Sequence, residues 1–254
     1  MPRASETVVL GLLQGPAELL PISSSAHVGL LPWALGWEHA SLSGAERKEV
    51  EVALHAGTAL VLAVSQRDSL RLRFLAAATV PPALAGLILE RRIEERLGTP
   101  PTVAFGLVLG AVAMVLADRV PARRRSSSVT DGLVLGFAQA LALIPGVSRS
   151  GATIAAARAL GFGRRDAVAL SREVALPVLA GATALKGVRL AARRPSRDTL
   201  VSLGAGVGAA AVSSAAALRF EGSLPLGVFA AYRVAVAGGI VALWRARRTS
   251  TAAG

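Results

Sequence analysis

The chain contains no cysteine, only three histidines, and 16 acidic residues against 28 Lys and Arg in 254 positions. Without thiols there is no disulfide and no thiolate-bound metal, so any metal is held by oxygen or imidazole. Charged residues make up 17% and aromatics 4%, against 53% hydrophobic. A soluble domain of this size carries more of both. Strands of alternating polarity are missing too, which excludes a β-barrel. The short stretch 1–7 is not followed by a lone apolar core with a small-residue cleavage site, so no signal peptide is expected. No RNA- or DNA-binding motif accompanies the net charge of +12, so nucleic acid is not an expected partner.

What the chain has is long apolar runs, at 72–89, 101–117, 174–191, 199–218 and 224–244. Each approaches the roughly 20 residues that a helix needs to cross about 30 Å of hydrocarbon. Arginines cluster between them, at 67–73, 91–96, 119–125, 189–197 and 245–248, and read as anchors facing lipid headgroups. They are plentiful in loops on both sides, so orientation is not readable from charge. The class is an all-α integral membrane protein.

One pattern occurs twice. Residues 10–27 read LGLLQGPAELLPISSSAH and residues 135–153 read LGFAQALALIPGVSRSGAT. Both carry a Gln three residues after Leu-Gly (Gln14 and Gln139), reach a proline (Pro21 and Pro145), and end in hydroxyl residues. The offset is about half the chain. The polar part of a greasy protein is duplicated, and polar groups inside apolar segments are functional candidates.

The predicted organisation follows. Segment 6–37 is broken at Pro21 and the serine run, leaving helical pieces of about 14 residues, roughly 21 Å, too short to span. It is expected to be a re-entrant hairpin, with irregular backbone tolerated because it is buried or lines a wet cavity. Three apolar helices follow, near 50–65, 72–90 and 100–118. A second hairpin, 130–162, is broken at Pro145-Gly146, and three more helices follow near 168–191, 199–218 and 224–245. The chain is thus one membrane domain: repeat one at 6–118, a linker at 119–129, and repeat two at 130–245. Three spans per half is an odd number, so the repeats are expected to have inverted topology, with the hairpin tips meeting near the midplane as in inverted-repeat transporters. The competing reading is two ordinary spanning helices kinked at proline.

Several residues at the breaks can do chemistry. Gln14 and Glu18 share a helix face. Glu18 reads as a metal ligand or general base, or as a structural hydrogen-bonding group. Ser23, Ser24 and Ser25 can cap the next half-helix, whose free N–H groups attract anions. His27, three residues after Ser24, is suited to assist a serine nucleophile. At the second tip Ser148, Arg149, Ser150 and Thr153 suit a phosphate clamp, with a snorkelling Arg149 as the alternative. Together these groups suit hydrolysis of a phosphate ester or anhydride in a membrane.

The strings QGPAE at 14–18, PISSSAH at 21–27 and PGVSRSGAT at 145–153 resemble the bacterial undecaprenyl-diphosphate phosphatase, or bacitracin-resistance, family. LPVLAGATAL at 176–185 and AYRVAVAGG at 231–239 extend the resemblance over most of the chain. It implies removal of the terminal phosphate of a C55 polyprenyl diphosphate with a divalent cation, Mg2+ or Ca2+, recycling a lipid carrier for cell-wall synthesis. It also implies a bacterial cell membrane location with the site open to the extracytoplasmic side. Its acidic motif maps onto Gln14 and Glu18, the latter also the metal ligand. Its serine–histidine motif maps onto Ser24 and His27, and its arginine motif onto Ser148, Arg149, Ser150 and Thr153. Glu18, Ser24, His27 and Arg149 are then catalytic. Gln14, Ser23, Ser25, Ser148, Ser150 and Thr153 bind the diphosphate.

Four positions depart from the pattern. Gln14 is the neutral variant of its motif. Arg172 and Glu173 stand where apolar residues are expected. His55 stands where Gln is common. Structural polar contacts are the expectation for these last three. Membrane lipids and a second copy of the chain are the other partners this reading allows. A polyprenyl-phosphate transporter or flippase is the alternative function. A type-2 phosphatidic acid phosphatase is rejected, because Ser148-Arg149 has no following His and Asp in reach.

Overall fold

A computed structural model describes residues 3–66, 71–220 and 224–252. Of the arginine-bearing stretch 67–73, positions 67–70 lie outside the described residues. Helices account for nearly all of the rest, in an order that runs through the same sequence twice. A short pair, α1 (Ala4–Leu19) and α2 (Ser24–Leu35), precedes three long helices, α3 (Gly44–Ser65), α4 (Leu72–Leu97) and α5 (Pro100–Asp118). A second short pair, α6 (Val129–Leu141) and α7 (Arg149–Ala159), precedes α8 (Arg164–Ala192), α9 (Arg197–Phe220) and α10 (Leu226–Ala252). Five helices are long and apolar enough to cross a membrane: α4, α5, α8, α9 and α10. The protein is therefore a multi-pass membrane protein.

The breaks fall where proline and serine put them. The 16 residues of α1 make about 24 Å of helix, short of the hydrocarbon thickness. The chain then turns at Ser23, with φ 80° and ψ 102°, and restarts as α2. At the second tip Ser148 does the same, with φ 70° and ψ 119°, ahead of α7. These two serines and Arg194 are the non-glycine residues with positive φ among those described. Such backbone is held only when its surroundings over-determine it. The 22 residues of α3 start earlier than the apolar run alone suggests. Ser43 accepts from the Glu46 amide, and the Glu46 carboxylate accepts from the Ser43 amide, a reciprocal cap that extends the helix through a charged first turn.

Each short pair is packed against the opposite half of the chain. α1 lies along α9, and α6 lies along α4. Both crossings are close because the contact residues are small. A Cβ on Gly15 would stand 2.3 Å from the Ser214 amide nitrogen, and one on Gly132 would stand 2.6 Å from the Phe74 carbonyl oxygen. Without a hydrophobic force between helices in lipid, such close backbone contact is what holds them together. The third large contact joins α5 to α10, and it is these two helices that support the tips.

Candidate active site

Four helices bring their polar groups to one carboxylate. Gln14 and Glu18 come from the last turns of α1 and are 1% and 5% exposed, with Gln14 Nε2 3.5 Å from Glu18 Oε2. From α2, the Ser24 hydroxyl donates to the same oxygen at 2.7 Å. From α7, Arg149 Nε donates to Glu18 Oε1 at 2.9 Å, and its Nη2 donates to the Glu18 carbonyl at 3.3 Å. From α3, His55 Nε2 stands 3.4 Å from Glu18 Oε2. A carboxylate flanked by an arginine and a hydroxyl in a buried setting is a strongly held charge.

The two tips also touch directly. Ser25 Oγ accepts from the Gly146 amide at 3.2 Å, and Ser150 Oγ donates to the Leu20 carbonyl at 2.9 Å. Ser23 and Ser25 share a hydroxyl contact of 3.1 Å, as Ser148 and Ser150 do at 3.3 Å. Ser148 Oγ also caps the Gly151 amide. Thr153 is fully buried, with its hydroxyl on the Arg149 carbonyl and on Ser171 Oγ. All ten residues singled out from the sequence thus lie at the meeting tips. Ser24 and Arg149 each bond Glu18. The hydroxyls of Ser23, Ser25, Ser148, Ser150 and Thr153 bond within and between the tips.

His27 is arranged differently from the expected Ser24–His27 partnership. Its Nδ1 donates to the Ser23 carbonyl at 2.8 Å. A carbonyl can only accept, so a neutral ring offers Nε2 as acceptor to the Tyr232 hydroxyl, 2.6 Å away. The two rings are stacked, 5.6 Å apart and nearly parallel. The sequence spacing put Ser24 and His27 on one helix face, but the serine turns to Glu18 and the imidazole to α10.

Two further residues belong to the site. His55, expected to make a structural contact, faces Glu18. Arg233, on α10, is wholly buried and ties the tips together. Its Nη1 donates to the Pro21 carbonyl of the first tip at 3.2 Å. Its Nη2 reaches the Gly146 and Val147 carbonyls of the second at 2.8 and 2.9 Å. Its Nε donates to the Leu107 carbonyl on α5 at 3.0 Å. The neighbouring glycines make the room: a Cβ on Gly110 would stand 2.2 Å from the Arg233 guanidinium. The signal was present in the sequence, as a lone arginine inside the apolar run 224–244. By contrast, Glu173 of α8 pairs with Arg71, the residue just before α4, and the Arg172 carbonyl accepts from Gln66 at 3.1 Å, so both make structural contacts.

Comparison with known proteins carries the resemblance over most of the chain. A family model described as bacitracin resistance protein BacA matches residues 7–239. The chain is 39% identical to an undecaprenyl-diphosphatase of Geobacter sulfurreducens, over 94% of this chain and 97% of the relative. It is 39% identical to one of Pelobacter propionicus, over 93% and 95%, and 36% identical to one of Moorella thermoacetica, over 96% and 98%. The family match runs from the first broken helix, with Glu18, into the last long one, beyond Arg233, and on that extent the chain belongs to the bacitracin resistance protein BacA family.

Proposed function

We propose that the protein hydrolyses undecaprenyl diphosphate to undecaprenyl phosphate and inorganic phosphate. The observation that carries this reading is the Ser24–Glu18–Arg149 cluster, a hydroxyl, a carboxylate and a guanidinium brought together from two broken helices. The relatives' diphosphatase names support the substrate, and they favour hydrolysis over transport.

The geometry suggests an order of events. Glu18, while paired with Arg149, is a weak base. An incoming diphosphate offers the guanidinium a second anion and draws it from Oε1. Glu18 regains basicity and takes the Ser24 proton across 2.7 Å. Ser24 Oγ forms a bond to the terminal phosphorus, and the bridging P–O bond breaks to release the lipid monophosphate. Water then attacks the phosphoserine and keeps its protons on the inorganic phosphate formed, while the Oγ–P bond breaks and Ser24 takes back the proton held on Glu18. Arg149 neutralises charge on the phosphoryl oxygens in both steps. His27, one turn along α2, and its partner Tyr232 of α10 are suited to the departing side of the diphosphate.

A divalent cation fits this donor set in a limited way. Among the described residues no group of three or more His, Cys, Asp or Glu could hold a metal. Glu18 and Ser24 Oγ are hard oxygen donors of the kind that Mg2+ or Ca2+ takes, with phosphate oxygens and water completing the shell. Such an ion would be held by Glu18 and would neutralise the diphosphate.

We also infer an inverted relation between the halves. What supports it is the odd number of long helices in each, the matching backbone of Ser23 and Ser148, and the reciprocal packing of α1 on α9 and α6 on α4. A bacterial cell membrane location, with the site facing the extracytoplasmic side, completes the reading.

The test is phosphate release from polyprenyl diphosphate by the purified chain, with and without chelator, combined with rapid quench on terminally labelled substrate. Wild type should release phosphate and yield a labelled protein, chelator should slow it, and Ser24→Ala should do neither. Turnover by Ser24→Ala within tenfold of wild type would overturn serine attack. Absence of phosphate release by wild type would overturn the function.

A further inference from the structure

The proposed order of events leaves one difficulty. Arg149 is what holds Glu18 Oε1, and it is drawn away by the substrate. A carboxylate that loses its main partner is free to rotate out of reach of Ser24. Something else has to keep it in place during the proton transfer.

His55 stands where that restraint is needed. It comes from α3, the one element of the cluster that belongs to neither tip, so the movement of Arg149 does not carry it along. The backbone on either side is fixed. Leu54 is fully buried, Thr58 Oγ1 bonds the buried Ser214 hydroxyl of α9 at 2.9 Å, and a Cβ on Gly57 would stand 2.4 Å from the Val207 carbonyl oxygen. The ring orientation is fixed as well. Nδ1 donates to the Glu51 carbonyl one turn back, at 2.6 Å, which directs Nε2 at Glu18 Oε2; both partners only accept, so the ring donates from both nitrogens as an imidazolium. At 3.4 Å the contact is longer than the 2.7–3.2 Å usual for an N–H···O bond. Glu18 is at present pulled towards Arg149, on its other oxygen. Release of Oε1 lets the carboxylate close that gap.

We infer that His55 is a positioning residue for catalysis, whose Nε2 restrains the Glu18 carboxylate beside Ser24 when Arg149 turns to the phosphate. The inference rests on the base role proposed for Glu18. The helix itself does not depend on this side chain, since its fixed contacts are those of Leu54, Gly57 and Thr58, and the ring is 28% exposed.

Substitutions separate this role from a merely structural one. Gln carries a donor to about the place of Nε2, Asn carries the same donor one methylene short, and Ala carries none. His55→Gln should keep kcat within about threefold of wild type, while His55→Asn and His55→Ala should lose tenfold or more in kcat with KM little changed. A second readout is independent of turnover: the infrared carboxylate bands of Glu18, isolated as the difference between each protein and its Glu18→Gln counterpart. The bands should shift in His55→Asn and His55→Ala and stay in place in His55→Gln. Equal kcat for Gln and Asn, or unshifted bands in His55→Ala, would overturn the inference. If wild type proved inactive while the bands moved as described, the restraint on Glu18 would stand and the phosphatase reading would fall.

Discussion

Replacing Arg233 tests how the tips are held. Its guanidinium bonds carbonyls from three places: Pro21 in the first tip, Gly146 and Val147 in the second, and Gly106 and Leu107 in α5. The two α5 carbonyls are inside a helix and have amide partners there. The three tip carbonyls lie between helices, so their loss is the one that matters. A buried acceptor left without a donor costs about 1–3 kcal/mol. Arg233→Met strands all three, and with water entering part of the space the expected loss is about 3–5 kcal/mol. Arg233→Lys retains charge and up to three donors, but an ammonium on a single stem reaches about two of the tip carbonyls, so the loss is about 1–3 kcal/mol. For a chain of this size each kcal/mol corresponds to roughly 2–4 °C. Thermal melting in detergent, followed by circular dichroism, should therefore fall by roughly 6–20 °C for Met and by roughly 2–12 °C for Lys. Phosphate release measured well below the melting range should show kcat reduced in both, because Glu18 and Arg149 reach each other across the joined tips. If Arg233→Met melts within 2 °C of wild type, the tie does not carry the load described for it.

Two further predictions follow from the same geometry. Arg149→Lys should lower kcat/KM by about 10²–10³-fold, nearly as much as Arg149→Ala, because a point charge does not reproduce the guanidinium fork on a phosphoryl group; recovery of most activity in the Lys protein would leave only a general charge requirement. Gly15→Ala should destabilise by about 1–3 kcal/mol through overpacking against Ser213 and Ser214 of α9, whereas Gly29→Ala, with no atom within 4 Å of its new Cβ, should leave the melting temperature unchanged or slightly raised; equal melting of the two variants would contradict the close α1–α9 crossing.

Local signals made the breaks legible. Proline and a run of hydroxyls cannot continue an apolar helix without leaving backbone groups free, and both interruptions stand where the sequence put them. The convergence of Glu18, Ser24 and Arg149 was legible as a set of residue types, through the duplicated pattern. Partner choice was not. Spacing alone could put Ser24 beside His27, but Glu18 from the preceding helix competes for the hydroxyl, and the Ser23 carbonyl competes for the imidazole. Arg233 stood out as a lone arginine in an apolar run, but its role as a tie was hidden because its partners are carbonyls, which every residue has and no pattern marks. His55 was hidden because its contact to Glu18 spans 37 positions and depends on how α3 packs against α9.

The reciprocal packing of the hairpins bears on how the chain is made. Gly11 and Gly15 of α1 meet Gly206, Ala209, Ser213 and Ser214 of α9, so α1 is completed by a segment made nearly 200 residues after it. At about 5–20 residues per second, the intervening stretch takes roughly 10–40 s to synthesise. For that time α1 and α2 are an unpaired, too-short hairpin with a carboxylate near its tip, in a bilayer that gives such a group no partner. The insertion machinery must therefore shelter it, or leave it at the interface until α9 arrives. The second hairpin has no such wait, because α4 is already in the membrane when α6 emerges. The two halves share an architecture at the end of synthesis and reach it by different routes, one by late docking and the other by immediate insertion.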